Sequence, residues 1–140
     1  HKILANYFLP FICGVMLHKK VSMNNQLCQN YRKKTLDTLK LISSRTEQLD
    51  YQNKVPIAHV SAELFCSWES CYQDVKDRDW YQSTFSKTEF EVLKRFDVIF
   101  EQVCSETEQN VPYITEFIQT KQWLTLSKAA KLALTELAAT

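Results

Sequence analysis

A single glycine in 140 residues, with three prolines, constrains this chain more than any other feature. Glycine supplies the positive-φ positions that tight hairpins, bulges and phosphate-cradling loops require. Gly14 stands alone, so glycine-rich nucleotide loops are excluded and a hairpin-rich β fold lacks the turns it needs. The chain is written for helices.

One domain is expected at this length, large enough to bury a core. An apolar content of 45% with 24% charged residues is that of a globular chain, not a disordered one. The net charge of +1 gives no field to draw in nucleic acid, and none is expected as a partner. The charge is uneven, however. Residues 1–50 carry eight Lys/Arg against three Asp/Glu, and residues 51–140 carry nine against thirteen. A basic N-terminal third either faces an anionic partner or membrane, or is drawn onto the acidic remainder of the bundle.

Five cysteines (Cys13, Cys28, Cys66, Cys71 and Cys104) are an odd number without repeating spacing, and no Asn-x-Ser/Thr acceptor occurs. Both facts point to reduced thiols in a cytoplasm. Cys28, Cys71 and Cys104 fall on apolar arcs and read as core filler. Cys66 is expected to be exposed, with no cation at helical spacing to activate it.

Residues 3–17 run fifteen positions without a charge, between Lys2 and His18-Lys19-Lys20. A full span needs roughly 20 apolar residues. Asn6, Pro10 and Gly14 weaken a helix there, and the stronger basic cluster lies behind the run, unlike a signal peptide. The segment, residues 1–20, is therefore expected to pack on a bundle domain of residues 21–140.

Residues 21–49 show one helical arc through Leu27, Cys28, Tyr31, Thr35, Thr38, Leu39, Ile42, Thr46 and Leu49. Leu36 and Leu41 fall outside it. Pro56 suits a helix start, and Ile57, Val60, Leu64, Phe65, Trp68, Cys71, Tyr72 and Val75 share a face through Lys76. The sharpest start is Ser86-Lys87-Thr88-Glu89, a capping box flanked by Phe85 and Phe90. Its helix buries Val92, Leu93, Phe96, Ile99, Phe100, Val103 and Cys104, and ends near Glu108. A short helix after Pro112 holds Ile114 and Phe117. An alanine-rich closing helix from about Trp123 leaves no room for the recognition helix of a helix-turn-helix. The expectation is all-α: a single small antiparallel bundle of four to five helices, with the apolar N-terminal segment packed on it.

Catalytic apparatus is thin. His59, Glu63 and Cys66 follow at i, i+4 and i+7 on the face opposite the apolar stripe. Seven helical residues separate His59 from Cys66 by roughly 10.5 Å, too far for a nucleophile–base pair. Cys66 and Cys71 stand roughly 140° apart around a helix and cannot share one metal. No Glu-x-x-His pair, Walker loop, nucleophile elbow or His-Glu-x-x-His occurs. No cofactor, metal site or catalytic residue is expected, and the His59–Glu63 pair reads as surface.

Residues 77–84 break the helical period and read as a polar loop carrying two aromatics. Asp77, Arg78, Asp79, Trp80 and Tyr81 are the candidate partner-binding residues, because aromatics set among charges resemble interface anchors. The same loop could instead fold back to cap the bundle end. The leading expectation is a non-enzymatic interaction or accessory protein, bacterial and cytoplasmic, binding a protein partner or itself. The alternatives are an inner-membrane-associated domain anchored by residues 3–17, and a helical ligand binder or enzyme without a recognisable motif.

Overall fold

The computed structural model of the chain describes residues 20–140, with side chains from Asn25 onward. The expected packing of residues 3–17 lies outside the described residues, as does Cys13. The described residues are all-α: α1 (Lys20–Ser43), α2 (Arg45–Lys54), α3 (Val60–Trp68), α4 (Asp79–Gln82), α5 (Lys87–Glu106), α6 (Ile114–Phe117) and α7 (Lys121–Ala139). A π-helical turn, Glu69–Gln73, continues α3.

Long helix α7 packs along both α1 and α5. Arg95, in the middle of α5, pairs with Glu136 near the end of α7 at 3.2 Å. Helix α3 lies in the middle of the fold. Seven of its nine residues are buried (Val60, Ser61, Ala62, Leu64, Phe65, Cys66 and Trp68), and a helix apolar nearly all round belongs inside. Trp68 anchors the core, edge-on to Phe96 at 4.6 Å and stacked on Tyr72 at 4.8 Å. Phe65 bridges Phe100 and Phe117 at 5.6 and 5.7 Å.

Several boundaries differ from the sequence reading. The arc over residues 21–49 is two helices, because Ser44 leaves helical geometry (φ −118°, ψ 103°) and accepts the Glu47 N–H as an N-cap. Thr46 is consequently exposed. The second helix starts not at Pro56 but at Val60, capped by His59, and Ile57 is 96% exposed instead of buried. That helix also stops short of Lys76, ending with the π turn at Gln73, and the stretch 77–84 read as a loop contains α4. Ser86 and Glu89 form the reciprocal capping box, at 3.0 and 2.9 Å. Phe85 and Phe90 both pack on Tyr81, at 5.3 and 6.3 Å between rings. Helix α5 ends at Glu106, and α7 is one continuous helix.

The π turn has a visible consequence. Its i→i+5 bonding, such as Asp74 N–H to the Glu69 carbonyl at 2.9 Å, brings residues five apart over one another. Trp68 Nε1 and Gln73 Nε2 thereby both donate to Asp97 Oδ1, each at 2.9 Å, tying α3 to α5.

Candidate functional site

Residues 77–81 are not a free aromatic loop. Asp77, Arg78 and Asp79 are exposed, Trp80 is half-buried, and Tyr81 is fully buried within the one-turn helix α4. The Tyr81 hydroxyl reaches Thr35 Oγ1 at 3.0 Å, and Thr35 in turn donates to the Tyr31 carbonyl at 2.7 Å. Burial pushes the Tyr81 hydroxyl well above the ordinary tyrosine range. Trp80 sets its edge on Tyr31 at 5.1 Å, and its carbonyl accepts the Cys28 thiol at 3.2 Å. Tyr81 therefore caps the bundle end, and a partner touching this corner meets Asp77, Arg78, Asp79 and one side of Trp80.

Arg32 draws the basic first helix onto the bundle. Arg32 binds both Glu89 carboxylate oxygens, at 3.1 and 2.7 Å, and lies over the Phe85 ring at 5.1 Å. Lys33 pairs within α1 to Asp37. Lys33 and Lys34 border a shallow open groove between α1 and the end of α3.

His59, Glu63 and Cys66 do not share an exposed face. Half-buried His59 is the cap of α3, its Nδ1 accepting the Ala62 N–H at 3.3 Å. That contact leaves the ring proton on Nε2, which donates to the Val111 carbonyl at 3.1 Å. Ser61 Oγ lies 3.2 Å from His59 Nδ1 but turns its proton to the Pro112 carbonyl. Tyr113 stacks on the imidazole at 4.5 Å. This Ser–His contact is thus a clasp holding residues 111–113 to α3, with no hydroxyl proton directed at the histidine. Glu63 accepts from the Tyr51 hydroxyl at 2.7 Å. Cys66 is buried, against the expectation of exposure, because the central position of α3 covers the face that periodicity assigned to solvent.

Cys71 and Cys104 are core residues, as expected, and burial pushes each thiol up to about 12. Cys28 is half-buried. Among the described residues, no three His, Cys, Asp or Glu side chains are grouped to hold a metal ion. No described helix is long and apolar enough to cross a membrane.

The feature that sequence reading missed lies on the outer face of α5 and α7. Val98 is 68% exposed and Leu132 is 60% exposed, although both are large aliphatic residues in well-packed helices. They flank a groove of about 380 Å³ floored by Phe96, Ile99, Ala129 and Ala133, and bordered by the Arg95–Glu136 pair at 3.2 Å. The small side chains of Ala129 and Ala133 open the groove, and the bulk of Val98 and Leu132 raises its walls. The signal available in sequence was that Val98 and Leu132 sit off the buried arcs of their helices. Such a surface offers apolar contact and polar edges, with no nucleophile or paired acid and base. Set beside protein family models, curated proteins and solved structures, the chain matches none.

Proposed function

We propose that this is a non-enzymatic helical interaction protein, acting through the apolar groove between α5 and α7, which takes a helical partner surface. The observation that carries the reading is the pairing of exposed Val98 and Leu132 across one groove. Exposed apolar side chains scattered singly are ordinary, whereas a contiguous patch rimmed by polar groups marks a contact surface. Grooves between helices receive amphipathic helices through anchors at i, i+3, i+4 and i+7 spacing. The corner formed by Asp77, Arg78, Asp79 and Trp80 is a secondary contact. The protein is read as cytoplasmic, supported by Cys28, Cys71 and Cys104, none of which is in a disulfide.

A photo-crosslinking residue at Leu132 in the full chain, activated in cells of the source organism, tests the reading. The expected result is a protein adduct of discrete mass, lost when Val98→Glu is added. A Leu132 probe that yields no adduct, or the same adduct with Val98→Glu, overturns it.

A further inference from the structure

We infer that the helical partner surface is the same groove of a second copy of this chain, joined through an antiparallel two-fold contact. The inference rests on the interaction reading above and names its occupant. Residues four apart on a helix stand in one ridge. On α7 that ridge reads Lys128, Leu132, Glu136, and on α5 it reads Lys94, Val98, Gln102. Each has an apolar centre, a cation on one side and an acceptor on the other.

A two-fold contact needs a surface that complements itself, residue i meeting j while j meets i. Rotation about an axis at the level of Val98 and Leu132 runs each ridge antiparallel to its own copy. Lys128 then faces the partner's Glu136, and Glu136 faces the partner's Lys128. On α5 Lys94 faces the partner's Gln102. Gln102 donates its amide nitrogen to Glu106 at 3.3 Å, so its carbonyl oxygen is the atom turned to the ammonium. Glu136 already accepts from Arg95 at 3.2 Å, and a second cation completes its other oxygen. A parallel arrangement of the same ridges sets lysine against lysine and glutamate against glutamate. Charge order therefore selects the antiparallel copy, and a partner of one sign is repelled by half of the α7 ridge. The apolar centre supplies the attraction, with Leu132 meeting the partner's Leu132 and Val98 meeting the partner's Val98 at the axis.

Sedimentation equilibrium of the full chain across a concentration series tests this. The expected mass rises from 16.4 kDa toward twice that value, and Leu132→Glu holds it at the monomer with an unchanged far-ultraviolet circular dichroism spectrum. Charge exchange gives the sharper arm. Lys128→Glu alone and Glu136→Lys alone each raise the dissociation constant about tenfold, because each places two like-charge contacts in the dimer. Mixing the two variants restores association, since the mixed dimer has both contacts attractive. A chain that stays monomeric, a dimer indifferent to Leu132→Glu, or variants that fail to restore each other overturns the inference. A monomeric chain that still gives a discrete Leu132 adduct with another protein sinks self-association alone and leaves the interaction reading standing.

Discussion

Trp123, at the start of α7, donates its indole N–H to Oε1 of Gln48 at 2.9 Å, across 75 residues of chain. The same fully buried amide donates Nε2 to the carbonyls of Leu41 and Ile42, at 2.8 and 3.0 Å. Those carbonyls belong to the last turn of α1, where Leu41 also accepts the Ser44 N–H at 3.1 Å. Gln48 thus closes the α1–α2 break and fastens it to α7. Replacing it with Leu keeps the volume and removes the Gln48 partner of the Trp123 indole N–H and of the Ile42 carbonyl, while Leu41 keeps its bond from Ser44. An unsatisfied buried group costs roughly 1–3 kcal/mol, with partial relaxation at these two sites. Gln48→Leu is expected to lower unfolding free energy by about 3 kcal/mol, read from urea denaturation at unchanged m-value. An unaltered midpoint contradicts the clamp.

Acid should release the Arg32–Glu89 tie. The Arg32 hydrogen bonds hold the Glu89 carboxyl below the ordinary glutamate range, helped by the Ser86 N–H and opposed by partial burial. The folded state therefore takes up this proton less readily than the unfolded state. The stabilisation is complete above the unfolded glutamate value, about 4.3, and is lost as pH falls through the lower folded value. The stability gap between wild type and Glu89→Gln should stay constant from pH 8 to about pH 5 and narrow below about pH 4. A gap independent of pH down to about 3 removes the ion pair as its cause.

The two ends of this fold were unequally legible in sequence. Helix α5 announced itself because its cap, staple and apolar arc agree, and all three are local. The same Ser-x-x-Glu signal stands at Ser44 and Glu47, yet the apolar period continues across it through Leu49, so periodicity concealed a cap. The start at Val60 was missed for the opposite reason. Pro56 advertised a helix that never begins, and the real cap is a histidine, a residue type without strong cap preference. The burial of Cys66 and Tyr81 is tertiary. Each depends on which neighbours enclose α3 and α4, and no window of sequence contains that. The groove was half-legible, since Val98 and Leu132 sit off their arcs, but only packing shows that they line one groove.

The core thiols should be silent. A thiolate is the reactive form, and Cys71 and Cys104 hold their protons up to about 12. At pH 8, Ellman's reagent should leave both unmodified in native protein and modify both in denaturant, with sites assigned by peptide mass spectrometry. Rapid modification of Cys71 in the native state would show that the centre of the bundle opens.

Phe100 is fully buried between Phe65 and Phe96, with ring centres at 5.6 and 6.3 Å. Phe100→Ala removes a ring from the middle of this cluster and should cost roughly 3–5 kcal/mol. Trp68, 6.2 Å away, should then shift its emission to longer wavelength as water reaches the cavity. A loss below about 1 kcal/mol would mean that the site collapses and that Phe100 is not central to the packing.

The corner at residues 77–81 separates stability from contact. Tyr81 is sealed in the core, with its hydroxyl held by Thr35, so Tyr81→Ala should destabilise by roughly 3–5 kcal/mol and so reports on folding, not on partners. Tyr81→Phe removes only the hydroxyl and should cost about 1 kcal/mol, plus whatever Thr35 loses as an acceptor. Exposed Asp77, Arg78 and Asp79 behave differently. Changing all three to Ala should move stability by no more than about 0.5 kcal/mol, the usual range for surface positions. That triple variant is therefore the clean probe of the secondary contact: partner crosslinks placed at Trp80 should fall while thermal unfolding stays put. Undiminished crosslinking from a folded triple variant would take these charges out of any interface and leave the α5–α7 groove as the whole of the contact surface.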